Sequence, residues 1–284
     1  MTADRTLAGI DVERPNVARM YDYYLGGKDN YPADRDAAQK VLEVTPQTPA
    51  IARANRAFLL RAVRFMAREA DIGQFLDIGC GLPTQGNVHQ VAQSVRPDAK
   101  VVYVDNDPIV LVHARALLAT DANTIALEGD LLRPKELLDD EALRAHLDLE
   151  KPVGLLLISV LHCVSDDERL KEAVTTLYDA LAPGSHVAIS HISLQTCTPE
   201  QEDGALRGAQ VYTDMNANMP MTFRDRDQLT ELFGGLDLME PGLVELQDWR
   251  PDPPGESAPI PLHPAQDQGY GFYLCGVARK GDHR

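Results

Sequence analysis

The residues best able to do chemistry in this chain stand at the ends of apolar runs. Asp77, Gly79 and Gly81 belong to Phe75-Leu76-Asp77-Ile78-Gly79-Cys80-Gly81-Leu82-Pro83-Thr84, an apolar run that ends in a Gly-X-Gly turn and leads into a helix-compatible segment. Glycine has no Cβ and tolerates positive φ, so the backbone of such a turn can come close to a ligand. Asp105, followed by Asn106, closes the run Val101-Val102-Tyr103-Val104, 24 residues beyond Gly81. A carboxylate only accepts hydrogen bonds, which suits it to a pair of neighbouring hydroxyls. Asp130 can accept from an exocyclic amine, with the apolar Leu131 against a ring. Ser159 ends another apolar run. His162, Asp166 and His191 are base candidates, since proton transfer wants a group near neutral pKa at hydrogen-bond reach. Each residue also has an ordinary reading. Asp105 and Asp107 can be helix caps, Asp130 a turn residue, and His162 and His191 histidines with one structural hydrogen bond.

Strands and helices must hold these residues, and from Phe75 they alternate. The pattern predicts strands at about 75–79, Lys100 to Asp105, Thr124 to Glu128, Val153 to Ser159 and His186 to His191. Helices are expected over 84–95, from Asp107-Pro108, over Pro134 to His146 and over Asp166 to Leu181. Such βα alternation argues for an α/β fold with a doubly wound, mostly parallel sheet, which binds ligands beyond the carboxyl ends of its strands. Asp77/Gly79/Gly81, Asp105/Asn106, Asp130 and Ser159 all fall there. After 191 the alternation breaks. A helix over 198–219, a short helix over Asp225 to Phe233, a strand over Leu243 to Leu246, a Pro-rich loop over 251–264 and a last strand over Gly271 to Ala278 are expected.

Before the sheet, helical spacing predicts three helices: one from Pro15, a second over Pro32 to Val44, and a third over Pro49 to Glu69. The first runs into Tyr21-Asp22-Tyr23-Tyr24-Leu25-Gly26-Gly27-Lys28-Asp29-Asn30-Tyr31. It reads either as an aromatic face docked on the core with Gly-Gly as its cap, or as a lid presenting Tyr and Lys/Asn groups to a ligand. Tyr23, Tyr24 and Tyr31 could line a pocket. On the third helix Arg61, Arg64 and Arg68 read as a solvated face; Arg53, Asn55 and Arg56 in its first turns read either as exposed helix surface or as a polar cluster facing a ligand. The division expected is residues 1–70 as an N-terminal helical extension or lid and 71–284 as the ligand-binding domain.

Composition narrows the function. With 43 acidic and 27 basic residues the net charge is −16, which disfavours a broad electrostatic grip on nucleic acid or anionic lipid. No apolar run reaches the roughly 20 residues of a membrane span, and 1–14 is a polar leader without a signal-peptide core. Four cysteines lie far apart, as free thiols do in the cytoplasm, with no metal site expected.

The turns also discriminate between ligands. A dinucleotide pyrophosphate usually takes the third glycine of G-x-G-x-x-G, where this chain has Leu82-Pro83-Thr84. That weakens a nicotinamide-dinucleotide oxidoreductase. S-adenosylmethionine has no phosphate; it needs close backbone for its amino-acid part, a carboxylate for its ribose and a polar group near its adenine.

On these residues the chain resembles the class I, Rossmann-like S-adenosylmethionine-dependent methyltransferases: Phe75 to Gly81 resembles their first motif, Val102 to Asp107 the acidic end of the second strand, and Glu128-Gly129-Asp130-Leu131 the adenine-side turn. More closely it resembles the actinobacterial group known as DUF574. Tyr21 to Tyr31, Ala52-Arg53-Ala54-Asn55-Arg56-Ala57-Phe58-Leu59, Gly81-Leu82-Pro83-Thr84-Gln85-Gly86-Asn87 and Tyr103 to Pro108 carry that resemblance. It implies a seven-stranded sheet whose last strand is antiparallel, and S-adenosylmethionine as cofactor.

The cofactor-binding candidates are thus Asp77, Gly79, Gly81, Asp105, Asn106, Asp130, Leu131, Ser159 and Tyr24; the catalytic candidates are His162 and His191. Methyl transfer is an in-line displacement with a neutral leaving group, so positioning dominates and a base is needed only for an acceptor that keeps its proton. Aromatic faces would suit a sulfonium through cation–π contact. The leading reading is methyl transfer to a small-molecule acceptor; a sensor that binds S-adenosylmethionine or S-adenosylhomocysteine without turnover is the alternative. Oligomeric state is left open.

Overall fold

The structure is a computed structural model, and it describes residues 11–83, 86–117, 121–252 and 271–281. Most of the leader, Thr84 and Gln85 of the Leu-Pro-Thr motif and nearly all of the expected Pro-rich loop lie outside the described residues.

Helices α1 (Val17–Tyr24), α2 (Pro32–Val44) and α3 (Thr48–Arg68) precede the sheet. Strands β1 (Gln74–Ile78), β2 (Lys100–Asp105), β3 (Thr124–Glu128), β4 (Gly154–Ile158) and β5 (His186–Ile192) are all parallel. Among the described residues the sheet has eight strands rather than the seven expected. The addition is the short β6 (Asp237–Leu238); it pairs with β8 (Tyr273–Arg279), as does β7 (Val244–Glu245) inside the strand expected over Leu243 to Leu246, and the order is β3-β2-β1-β4-β5-β8-β6 with β7 beside β8. Strand β8 pairs antiparallel with β5, β6 and β7, as the last strand was expected to do. The strand order reverses between β1 and β4, so their carboxyl ends open a crevice at the switch point.

Side-chain alternation explains why the sheet is covered on both faces. Phe75, Val101, Tyr103 and Leu156 point into one apolar core, and Leu76, Val102, Val104, Leu155 and Leu157 into the other. Strands that are apolar on both sides must be buried on both sides. The first core takes Phe58, Leu59, Ala62, Phe65 and Met66 from α3, with Val88, Val91 and Ala92 of α4 (Val88–Val95) and Ala114 of α5 (Pro108–Leu117). The second is covered by α6 (Pro134–Leu138), α7 (Glu141–His146), α8 (Asp167–Ala180) and, past α9 (Pro199–Asp214), by α10 (Arg226–Leu232). A third cluster joins Met20 and Tyr24 of α1 to Ala37, Ala38 and Val41 of α2, with Tyr212 of α9 against it.

Four local expectations change. The helix expected over Pro134 to His146 is two helices, because Asp140 accepts from Ala142 N and Leu143 N at 2.9 Å and starts α7 afresh. Arg61 is not solvated: it is buried and donates to the carbonyls of Trp249 (3.0 Å) and Leu246. Asn55 and Arg56 are buried as well. Asp166 caps α8, accepting from Arg169 N at 3.1 Å, which is an ordinary helix-start role rather than a base.

Candidate functional site

The turn after β1 is built to stay open. Gly79 N and Cys80 N donate to Val104 O at 2.8 and 3.2 Å, and Gly81 N donates to Asp105 Oδ2 at 2.9 Å. Gly79 has φ +74°, and a Cβ there would sit 2.4 Å from Val160 Cγ2. Gly81 has φ +65°, but a Cβ there would meet nothing within 4 Å. One glycine is therefore required by packing beneath the turn, while the other fronts empty space.

That space is a cavity of about 470 Å³. Asp77, Gly79, Gly81, Asp105, Asn106, Asp130, Leu131, Ser159, Tyr24 and His162 all line it. Asp105 holds the turn together: Oδ2 takes Gly81 N and Oδ1 takes Asp107 N at 3.0 Å. Burial pushes its carboxyl up despite those backbone donors. Asp107 accepts from Ile109 N at 2.7 Å, as a helix-start residue does. Asp130 accepts from Leu132 N at 2.8 Å and is more open than Asp105. Asp77 is buried, and that burial pushes its carboxyl up to about 7; Arg56 opposes the shift and Asp105 adds to it.

Ser159, at the end of β4, has φ +55°. Its Oγ accepts from Asn55 Nδ2 at 2.8 Å and donates to Tyr273 Oη at 3.1 Å. Asn55 Oδ1 accepts from Ser190 Oγ at 2.6 Å, and Asn55 Nδ2 donates to Tyr21 Oη at 2.9 Å. This chain of bonds fixes α3 against β4, β5 and β8 at the cavity floor. Tyr24 Oη pairs with Tyr212 Oη at 3.2 Å, joining α1 to α9.

The two histidines part company. His162 lines the cavity, is buried, and its Nδ1 has no hydrogen-bond partner among the described residues. Burial, with the Arg224 charge, drives its pKa down to about 3, so the ring is neutral. His191 does not line the cavity. Its Nδ1 lies 2.7 Å from Ile192 O, and its Nε2 accepts from Arg224 Nη1 at 2.9 Å. Both nitrogens are thus committed, Nδ1 to the Ile192 carbonyl and Nε2 to Arg224, which also grips Asp167 at 2.6 Å.

Of the three tyrosines expected at a pocket, only Tyr24 reaches it. Tyr23 accepts from Gln39, and Tyr31 starts α2 under the Arg19 guanidinium, 5.2 Å from the ring centroid. The Gly26-Gly27 turn closes on itself: Asp22 Oδ2 accepts from Asp29 N at 3.0 Å and from Asn30 Nδ2 at 2.8 Å. Lys28 is exposed. Asn55 and Arg56 line the cavity, as the ligand-facing reading of that cluster had it, while Arg53 does not; Tyr21, Tyr212 and Tyr273 line it without having been expected there. For Asn55 a signal existed, since it lies four residues after Ile51 and three before Phe58, on the apolar face of α3.

The N-terminal segment is latched over the site. Asn16 Nδ2 donates to Asp107, Val17 N to Asn218 Oδ1 (2.8 Å), and Asn218 N to Pro15 O (3.2 Å). Behind the latch, Arg19 and Asp34 form a fully buried ion pair at 2.7 Å. Among the described residues no cluster of metal-ligating side chains exists, and no helix is long and apolar enough to cross a membrane.

Comparison with known proteins agrees with this geometry. A family model described as S-adenosyl methyltransferase matches residues 3–281. A crystal structure provisionally named a methyltransferase, from Thermobifida fusca YX, is similar at 39% identity and TM-score 0.84, covering 98% of this chain and 100% of that one. A DUF574 family protein from Streptomyces avermitilis MA-4680 is similar at 40% identity and TM-score 0.85, covering 95% and 99%. An S-adenosylmethionine-dependent methyltransferase from Anabaena variabilis ATCC 29413 shares the fold at 13% identity and TM-score 0.52. No curated protein matches the chain.

Proposed function

This chain belongs to the S-adenosyl methyltransferase family and is an S-adenosylmethionine-dependent methyltransferase, and we propose that the cavity in front of the Gly79–Gly81 turn holds the cofactor along the turns after β1, β2 and β3 and a small-molecule acceptor on its helical side. Asp105 accepts from the ribose hydroxyls. Asp130 accepts from the adenine amine, with Leu131 against the ring. The Gly79–Gly81 turn approaches the amino-acid part, where Asp77 faces the ammonium and Arg56 the carboxylate. Two observations support the fit of these residues to this ligand. Gly81 borders open space, and Arg56 Nε is buried without a partner among the described residues. A buried donor left unpaired is costly, and a carboxylate would satisfy it.

Bound there, S-adenosylmethionine supplies an electrophilic methyl group on a sulfonium. The chain's own task is placement and exclusion of water. The Asn55–Ser159–Tyr273 bonds fix the floor, and holding two reactants in line replaces much of the entropy cost of their encounter. Of the 1–70 extension, α1 and α2 act as a helical lid over the 71–284 domain through the Asn16–Asp107 latch, while α3 packs on the sheet. The net charge of −16 argues against a nucleic-acid acceptor, and four free thiols suit the cytoplasm.

The observation that carries this reading is Asp105, one carboxylate that fixes the glycine turn and lines the cavity. Incubation with a metabolite extract and methyl-labelled S-adenosylmethionine should place label on a low-mass product. Label confined to macromolecules, or none above a heat-killed control, would remove the small-molecule acceptor.

A further inference from the structure

The cavity is divided by charge. Arg56, Asp77, Asp105, Asp107 and Asp130, its charged lining residues on the cofactor side, stand at or beside the turns after β1, β2 and β3. On the helical side the titratable lining groups are Tyr21, Tyr24, Tyr212, Tyr273, His162 and Cys163, with Asp22 as the one carboxylate among the described residues. Asp22 is turned to local use, its Oδ2 accepting from Asp29 N and Asn30 Nδ2. The remaining six are neutral. Burial pushes Cys163 and Tyr212 up to about 12 and raises the other three phenols; it drives His162 down to about 3. A charged molecule entering this side would lose its water and meet at most the Asp22 carboxylate, already bonded to Asp29 N and Asn30 Nδ2, which is expensive. Aromatic and small residues set the shape: Phe223 and Phe272 add faces, while Ala205 and Ala209 of α9 leave width between them.

Resting on the cofactor placement above, we propose that the methyl acceptor is an uncharged, ring-bearing hydroxyl compound, seated against Tyr24, Tyr212 and Tyr273 with its hydroxyl toward His162. Tyrosine faces take a flat ring by offset or edge contact. His162 Nδ1 has no partner among the described residues, so its ring is not already committed as that of His191 is. In the transfer, a hydroxyl lone pair forms the bond to the methyl carbon, and the carbon–sulfur electron pair stays on sulfur. The hydroxyl donates a hydrogen bond to His162 Nδ1 as it attacks, and its proton is released to water once the carbon–oxygen bond has formed. A weak base suffices, because the oxygen becomes strongly acidic once the carbon–oxygen bond forms. An alkylamine would instead keep its proton and leave a cation on a side whose one carboxylate among the described residues, Asp22, is already bonded to Asp29 N and Asn30 Nδ2.

The test uses three phenols of matched size on the full chain loaded with S-adenosylhomocysteine: para-ethylphenol (neutral), tyramine (cationic) and para-hydroxyphenylacetate (anionic), with binding followed by calorimetry. Para-ethylphenol should bind at least about tenfold more tightly than either charged relative, a difference of about 1.4 kcal/mol. Ala209→Leu should abolish that binding and leave S-adenosylhomocysteine affinity unchanged. Equal or reversed preference, or no para-ethylphenol binding by a chain that does bind S-adenosylhomocysteine, overturns the acceptor class alone. Failure of S-adenosylhomocysteine itself to bind overturns the cofactor placement and the inference with it.

Discussion

Asp77 places an ionisable group where the cofactor ammonium would lie, and its charge state has measurable consequences. Its folded pKa of about 7 lies above the ordinary 3.8. The fold therefore favours the protonated carboxyl, a contribution that is full below about pH 4 and lost as pH rises through 7. Asp77→Asn should melt higher than the wild type above pH 7 in the ligand-free state and match it near pH 4. For the wild type, S-adenosylhomocysteine affinity should strengthen as pH rises through 7, by at most about tenfold per unit; a flat profile would separate Asp77 from the ammonium. His191 makes a contrasting case. His191→Ala should lower Tm by removing a partner of buried Arg224, yet leave cofactor affinity as it was; a large loss of turnover at unchanged Tm would return His191 to the chemistry. Glycines and acidic residues at strand ends were readable in the chain because their role is local: the turn that closes an apolar run is fixed by its own few residues. The burial of Asn55, Arg56 and Arg61 was not readable. Their partners, Ser159, Gly86 and Trp249, lie at least 30 residues away in sequence, and helical periodicity says which face a residue is on but not whether a polar partner waits there.

At the scale of elements, α9 lies hard against α2. A Cβ on Gly204 would sit 2.7 Å from the carbonyl oxygen of Val44, a backbone atom that cannot swing aside. Gly204→Ala should therefore cost about 2 kcal/mol by overpacking, which calorimetry should show as a Tm lower by roughly 4 to 8 °C. An unchanged Tm would mean that the two helices separate freely. The latch is the other element-scale device. Asn16→Ala removes the hydrogen bond to Asp107 and the Asn16 cap on Arg19 N; about 1 kcal/mol lost should speed S-adenosylhomocysteine release about fivefold in stopped flow, and an unaltered rate would dissociate the N-terminal segment from the lid role. The five parallel strands and their helices were legible because apolar runs bounded by Gly, Asp and Pro repeat with regular spacing. One short strand was not: β6 is two residues long and pairs only with β8, whereas β7 falls inside the strand expected over Leu243 to Leu246. The split between α6 and α7 turns on Asp140 capping in mid-pattern, which apolar spacing does not report.

Over the whole molecule, an acidic surface surrounds a cavity whose charges are segregated to the cofactor turns. The family was legible from the resemblance carried by Phe75 to Gly81, Val102 to Asp107 and Glu128 to Leu131, short local stretches at the ends of consecutive strands. The acceptor side was not, because it is assembled from α1, α2, α3, α9 and β8, elements far apart in the chain that become neighbours only in the fold. The central claim is that Asp105 holds the cofactor ribose. It is tested most directly by calorimetric titration of S-adenosylhomocysteine into the wild type and Asp105→Ala, with the exposed Asp139→Ala as control. Two hydrogen bonds to a charged acceptor are at stake, so the account predicts a Kd about 100-fold weaker in Asp105→Ala and unchanged in Asp139→Ala. A Kd in Asp105→Ala equal to that of the wild type would contradict it.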